Sequence, residues 1–271
     1  MQIKIWKCVL GAVAAFSVSM ASAQTYQSPD ERGFLPFVPN QQFRVDIMDP
    51  SADDFDVGSG VLANVYQTQP GDPLQSGYDN IVFNLDAFGG QTVRLRFAEV
   101  DNSGNFNVGV DGVRFFTDEG GVMGVVQNGN FESNDGEGTN VFGNWTVVDQ
   151  AGGSGSWFAQ TGTASPLNGF TVPAPPQGTF AAMVDQTGPG SHVLYQDFTV
   201  PAGGGSIEFD LYISTSTGQF VVPSPPTLDY NPVPVQPPVV AVPIMTPAGV
   251  AIMALLIMAF AFVSTRSRRM D

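Results

Sequence analysis

The sequence predicts an all-β protein, a jelly-roll-like β-sandwich flanked by an N-terminal signal helix and a C-terminal transmembrane helix. Three observations support this class: short apolar and polar runs alternate with period two, glycine (31) and proline (21) are frequent, and no amphipathic helical period occurs outside the two ends. Short alternating runs separated by turn residues are typical of sandwiches and barrels. Two separate half-domains are the alternative arrangement.

The N-terminus has the three parts of a secretory signal peptide, which we assign to residues 1–23. Two lysines precede an apolar run, and the small residues Ala21 and Ala23 form a cleavage site. The single cysteine, Cys8, leaves with this segment, so no disulfide or thiol chemistry is expected in the exported chain. Residues 24–36 are polar and then proline-spaced, and they are expected to form a lead-in to the domain.

The expected sandwich covers residues 37–220, and its first half is residues 37–117. Alternation predicts a half-buried strand from Phe43 to Ile47, and Asp49–Asp56 is expected to be an acidic loop. The further strands expected in this half are 61–67 (a strand or a short helix), 81–85, 93–97 and 108–116.

The run from Val108 to Phe115 changes phase. Val108 and Val110 share one parity, whereas Val113 and Phe115 share the other. One extra residue in a strand ladder has this effect, so a β-bulge is predicted at Asp111–Gly112.

The second half of the expected sandwich is residues 122–220. In its last strand Glu208 and Asp210 alternate with Ile207, Phe209 and Leu211, which predicts one polar and one apolar face. The strands expected in this half are 122–127, 145–148, 179–184, 193–200 and 207–213, with a Gly/Ser turn over residues 151–156.

The C-terminal segments predict a membrane attachment. Proline dominates residues 221–246, which favours an extended stalk without ladder donors. Residues 247–265 carry an apolar run at the short end of what crosses a hydrocarbon core of roughly 30 Å, and they predict a transmembrane helix. The basic tail, residues 266–271, is expected to stay cytoplasmic. A buried core helix is the alternative for the apolar run.

This C-terminal layout resembles the PEP-CTERM type of bacterial sorting signal, in its variants with an Ile/Val-Pro opening, although Pro-Glu-Pro itself is absent. The resemblance implies an exosortase-like sorting enzyme as a partner. It also implies export, anchoring in the inner membrane during transit, and a final place at the cell surface or in the extracellular matrix. The residues that carry it are Val242, Pro243, Thr246, Pro247, Gly249, Arg266, Arg268 and Arg269.

Two stretches resemble galactose-binding-like sandwiches, the fold of many secreted carbohydrate-binding modules. Residues 128–132 with Trp145 are similar to the opening strand of that family, and residues 110–115 are similar to its closing strand. In the family the opening strand comes first, whereas here the closing strand precedes it. We therefore hypothesise that residues 37–231 form one circularly permuted sandwich.

The same resemblance implies a structural calcium ion between Asp111 and Glu132. Carboxylate and carbonyl oxygens are the ligands that Ca²⁺ prefers. The alternative is a pair of loop-end carboxylates on an acidic surface.

Four side chains are candidates for contact with a sugar. Trp157 follows a Gly/Ser loop and is expected at the rim, where its ring could stack on a pyranose, as could Tyr195; Trp145 is expected in the core. Arg94 and Arg96 offer forked donors on one strand face, with pairing to nearby carboxylates as the alternative.

Charge limits the class of partner. The formal net charge is −15, and the segment between the two ends has five arginines and no lysine against all but one of the 25 acidic residues. Such a surface argues against nucleic acid as a partner.

His192 is the only histidine, and it belongs to no recognisable catalytic motif. The expected function is non-catalytic association with extracellular polysaccharide. A purely structural surface protein and a polysaccharide-active enzyme with a carboxylate pair are the alternatives.

Overall fold

The regular structure of the domain is almost entirely β-strand. The computed structural model describes residues 38–117 and 120–232, and these contain eleven strands and one short 3-10 turn (Asp86–Phe88). Within those ranges no helix is long and apolar enough to span a membrane. The strands are β1 (Gln41–Met48), β2 (Val61–Gln67), β3 (Asp79–Asn84), β4 (Thr92–Asp101), β5 (Phe106–Phe116), β6 (Val122–Met123), β7 (Thr146–Asp149), β8 (Ser156–Gln160), β9 (Ala181–Asp185), β10 (Gly190–Thr199) and β11 (Ser206–Thr215).

The strands form two antiparallel sheets. Sheet A has the order β2-β1-β4-β10-β7, and sheet B has the order β3-β11-β5-β9-β8, with β6 paired to the end of β5. Both sheets take strands from both halves of the chain, so the described residues form one unit and not two half-domains. The all-β class predicted from the sequence is confirmed.

One apolar core fills the space between the sheets. Inward side chains of β1, β4 and β10 meet those of β5, β9 and β11. Phe97 of sheet A and Phe209 of sheet B meet edge to face, with ring centroids 5.2 Å apart. This geometry suits the quadrupoles of two aromatic rings. The period-two alternation of β4 and β11 therefore directs one row of each strand into the core.

The predicted β-bulge is present in β5. Glu208 of β11 pairs with Arg114 and Asp210 pairs with Asp111, so Gly112 and Val113 together lie opposite the single residue Phe209, directly after Asp111. Gly112 has φ +63°, a left-handed conformation that glycine adopts without a steric penalty. The shift lets apolar residues on both sides of the bulge face the core.

Strand β1 is buried on both faces, whereas a half-buried strand was expected. Asp46, on the outward face, has no exposed surface. The acidic segment 49–60 covers this face of sheet A, because Arg96 Nη1 donates hydrogen bonds to the carbonyl oxygens of Asp54 and Asp56, each at 2.7 Å. This acidic loop thus docks through main-chain carbonyls and through the Asp54 carboxylate, which pairs with Arg94 Nη1 at 2.5 Å.

Asp46 binds two arginines beneath that cover. Arg44 donates to both of its carboxylate oxygens at 2.9 and 3.0 Å, and Arg96 Nη2 donates at 2.5 Å. Burial alone would raise the pKa of Asp46, but the hydrogen bonds and charges of the two arginines outweigh it and lower the pKa. The carboxylate therefore stays charged inside the protein.

The strand expected over residues 122–127 is confined to β6. Side-chain hydrogen bonds replace the ladder beyond it: Gln127 N donates to Gln196 Oε1 at 2.7 Å, and Gln196 Nε2 donates to Gln127 O at 2.9 Å. Side chains can in this way supply the hydrogen bonds that the N–H and C=O groups of an irregular backbone need. The turn that follows leads the chain back towards β5.

The domain continues beyond residue 220, where the stalk was expected to begin. Leu228 is buried against sheet A, and Asn40 Nδ2 donates to the carbonyl oxygen of Thr227 at 2.9 Å. Residues 221–232 therefore pack on the sandwich. The rest of the expected stalk, residues 233–246, lies outside the described residues.

Replacing Arg96 by alanine should lower the free energy of unfolding by about 3–5 kcal/mol, because it removes one of the two cations that balance the buried Asp46 charge and both hydrogen bonds that Arg96 Nη1 donates to segment 49–60. Arg114→Ala is the matched control, since the Arg114 side chain is half-exposed and its ion pair with Glu208 should contribute about 0–1 kcal/mol. Urea unfolding followed by fluorescence measures both. Equal losses in the two variants would contradict the role given to Arg96.

Candidate ligand-binding face

Asp111 and Tyr212 are buried on the outward side of sheet B, but other outward side chains of β3, β11 and β5 are wholly or partly exposed. We call five of them, Asn80, Val82, Glu208, Asp210 and Arg114, the open face. Asn80 Nδ2 donates to Glu208 Oε1 and to Asp210 Oδ1, each at 3.0 Å, and Arg114 donates to Glu208. Because the alternate residues of these strands face the core, the sheet holds an amide, two carboxylates and a guanidinium in one layer.

The open face can bind through hydrogen bonds. Carboxylate oxygens accept and guanidinium N–H groups donate, and sugar hydroxyls need both roles. Tyr78 and Tyr212, which lie on the outward side of the same sheet, pack on each other with ring centroids 5.8 Å apart, and Tyr212 is 5% exposed. A sugar at the open face would therefore be held by polar contacts and not by stacking on these rings.

Loops cover the outward face on the other half of sheet B. The carboxylate of Asp185, on β9, accepts hydrogen bonds from the backbone N–H groups of Leu167 (2.6 Å) and Asn168 (2.9 Å), so the loop that follows β8 lies over it. Segment 49–60 covers the central strands of sheet A in the same way. The open face is not covered in this way, and it is therefore the candidate site.

Asp111 lies next to the open face, at the bulge. It has no exposed surface, and its carboxylate accepts hydrogen bonds from Gly112 N (2.7 Å) and more weakly from Gln177 N (3.4 Å). Burial raises the pKa of Asp111 to about 7, against the opposing effect of those hydrogen bonds, and the negative charge of Asp210 adds a smaller increase. Asp111 and Asp210 occupy paired positions on adjacent strands, so a titrating carboxyl lies beside an accessible one.

Glu132 and Asp111 both bind the same short segment of chain, residues 177–180. Glu132 Oε1 accepts from Thr179 N at 2.7 Å and from Phe180 N at 2.9 Å. Among residues 38–117 and 120–232 no group of three or more His, Cys, Asp or Glu side chains is arranged to hold a metal ion. Calcium between Asp111 and Glu132 stays a prediction.

Trp157 does not lie at the rim, and this expectation is corrected. The residue has no exposed surface, and its ring packs against Phe43 and Phe97 with centroids 6.4 and 6.5 Å away. The cause is the parity of β8, which directs Trp157 and Ala159 into the core together. Trp145 is in the core, as expected.

Tyr195, Arg94 and Arg96 form internal contacts on the covered side of sheet A. The guanidinium of Arg94 lies 3.7 Å from the centroid of the Tyr195 ring and binds both carboxylate oxygens of Asp197, at 2.7 and 3.1 Å. Arg96 has no exposed surface. Both arginines thus take the alternative considered from the sequence, pairing with carboxylates, and Arg94 occupies one face of the tyrosine.

The remaining candidate residues lie outside the described residues. These are the signal cleavage residues Ala21 and Ala23 and the sorting residues Val242, Pro243, Thr246, Pro247, Gly249, Arg266, Arg268 and Arg269. The export and sorting predictions therefore stay as predictions.

The open-face residues were not singled out from the sequence. The signal was present, since Glu208 and Asp210 alternate strictly with core residues and must face away from them. What the sequence did not show is that β3 and β5 flank this strand and bring Asn80 and Arg114 beside it, while loops cover other parts of the two sheets.

The fold and this face together define the class of the protein, an acidic all-β protein of two packed sheets with a polar hydrogen-bonding face. Compared with protein-family models, with curated proteins and with solved structures, the chain gives no significant match in any of the three.

Replacing Gly112 by alanine should destabilise the domain more than the same change at Gly162. Both glycines have φ near +60°, so each alanine should cost about 1–2 kcal/mol of backbone strain. At Gly112 the new Cβ would also lie 2.8 Å from Gln177 Nε2 and 2.9 Å from Asp210 Oδ2, whereas at Gly162 no atom of residues 38–117 or 120–232 lies within 4 Å. Both atoms end flexible side chains that can change rotamer, so urea unfolding should show a further loss of only about 0.5–1.5 kcal/mol at Gly112. Equal losses would mean that the bulge tolerates a side chain.

Proposed function

We propose that this chain is an exported cell-surface or extracellular-matrix protein that associates with extracellular polysaccharide, without catalysis, through the open face. The layer of Asn80, Glu208, Asp210 and Arg114 on an antiparallel sheet carries the proposal. Planar polar groups held in mutual contact are already ordered, so binding a sugar costs little side-chain entropy. Their donors and acceptors suit hydroxyl groups.

The charge of the chain supports a choice among polysaccharides. Three carboxylates, Asp111, Glu208 and Asp210, lie at or beside the open face, and one arginine accompanies them. The whole chain has a formal net charge of −15. Like charges repel and lower affinity for anionic partners, so we expect neutral glycans to bind better than uronate-rich or sulfated ones.

We further propose that the sandwich is a circularly permuted jelly roll of the galactose-binding-like kind. Two contacts support this. Asn40, at the start of β1, donates to the carbonyl oxygens of Thr227 and Asp229 at 2.9 Å, so the two ends of the domain are neighbours. The junction near residues 117–121 is short, since β5 pairs directly with β6. Neighbouring ends are what a permutation requires.

The sequence of the two ends supports the export and sorting part of the proposal. Residues 1–23 have the layout of a secretory signal, and residues 247–271 that of a sorting tail with a membrane helix. The partners would be an exosortase-like enzyme and the membrane itself.

Binding of the full chain to a glycan array tests the open face. We expect neutral polysaccharides to bind and Asp210→Asn or Asn80→Ala to weaken binding at least about tenfold, since one hydrogen bond to a charged group contributes about 1.5–3 kcal/mol. Glu137→Gln is the matched control, because Glu137 is an exposed carboxylate in another loop.

Three outcomes would contradict the proposal. Binding that survives both open-face changes would place the glycan elsewhere, and no binding to any glycan would favour the purely structural alternative. Release of reducing ends from a polysaccharide, lost on Asp111→Asn, would favour the enzyme alternative.

Intact-mass analysis of the protein from cells and from medium tests processing. We expect a mass that lacks residues 1–23 in both fractions, and a medium form that also lacks the segment after residue 246. The physical reason is that an apolar segment of this length is stable only in a bilayer. A full-length chain in the cytosolic fraction would overturn the export and sorting proposal.

A further inference from the structure

The inward row of β4 changes from apolar to acidic at one end of the sandwich. Phe97 is followed, two and four residues later, by Glu99 and Asp101, which face the space between the sheets. Glu99 pairs with Phe43 across the ladder to β1, and Asp101 pairs with Gln41. Glu99 has no exposed surface and Asp101 is 2% exposed. Two carboxylates thus lie inside the sandwich.

Three acceptor atoms at this end have no hydrogen-bond partner among the described residues. They are both carboxylate oxygens of Glu99 and Oε1 of Gln186, which is 1% exposed. Gln186 follows β9, and its Nε2 donates to Asp101 Oδ2 at 2.6 Å, so its amide lies directly against Asp101. Burial, together with the charges of Asp101 and Asp185, raises the pKa of Glu99 well above its usual range.

The basic group nearest in the ladder is already engaged. His192 pairs with Glu99 across β10 and β4, but its Nδ1 lies 2.8 Å from Asp149 Oδ1 and its Nε2 lies 3.0 Å from Ser154 O. The arginines of β4 are on the opposite side of the sheet. Even a doubly protonated His192 therefore leaves this end of the interior with an excess of negative charge.

Unpaired buried charge is strongly unfavourable, and buried acceptor oxygens need a donor or a cation. Carboxylate and amide oxygens are the ligands of hard cations, and Ca²⁺ accepts the irregular geometry that an interior site imposes better than Mg²⁺ does. We propose that Glu99, Asp101 and Gln186 form an interior site for one Ca²⁺ ion, bound as the two sheets close. Backbone carbonyls or water would complete the shell, since Ca²⁺ takes about six to eight oxygen ligands and two carboxylates with one amide supply fewer.

Calorimetry of the full chain, stripped with a chelator and then titrated with CaCl₂, tests the site. We expect Ca²⁺ at about 100 times its dissociation constant to raise Tm by about 5–10 °C. Glu99→Gln, which keeps the shape and removes the charge, should abolish that shift. Asp111→Asn and Glu132→Gln are matched controls that should retain it, because those carboxylates lie at the bulge and the segment 177–180.

Several results would overturn the site. These are no shift in the unaltered chain, a full shift in Glu99→Gln, or loss of the shift in the Asp111 or Glu132 variants alone, which would place the ion at the bulge. If Glu99→Gln does not fold, Gln186→Ala decides instead: the calcium concentration for half of the shift should rise at least about tenfold, and an unchanged value would overturn the site.

Discussion

The buried Arg96 guanidinium is the constraint on which the architecture of sheet A depends. A charge with no exposed surface must be compensated on the spot, and Arg96 is compensated by Asp46 and by two carbonyl oxygens of the segment 49–60. That segment is therefore held over the middle of the sheet. The consequence reaches function, because this face is closed to a ligand and the open face of sheet B is left for one.

The strands of this fold were predictable, because period two is a local property of the sequence. The alternation in β4 and β11 located both strands and their faces, and the phase change at Asp111–Gly112 located the bulge. Burial of the polar faces was not predictable in the same way. Whether Arg96 faces water depends on a loop forty residues away in the chain, and no local pattern records that contact.

The amino-acid composition of a segment predicts its backbone conformation better than it predicts whether the segment packs on the domain. The proline-rich segment from residue 221 was expected to stand away from the domain, since proline cannot donate to a ladder. Its carbonyl groups can still accept hydrogen bonds, and Asn40 and Gln42 donate to the carbonyl of Thr227 while Leu228 is buried. Trp157 shows the opposite error. The nearby Gly/Ser loop suggested a position at the rim of the sandwich, but the parity of β8 directs the ring into the core.

The buried carboxylates on the two sides of sheet A differ in how their negative charge is compensated. On the outward side of sheet A, Asp46 has two arginines. On the inward side of the same sheet, neither oxygen of Glu99 has a partner in the part of the chain that the structure describes, although the two positions lie on adjacent strands. The protein has few cations to place, with five arginines and no lysine between its ends. When the basic side chains of a folded domain are committed elsewhere, a buried carboxylate must take up a proton or bind an ion from solution. The amide oxygen of Gln186, which has no donor among the described residues, favours the ion. A single proton on Glu99 could not satisfy both this amide oxygen and the second carboxylate oxygen of Glu99.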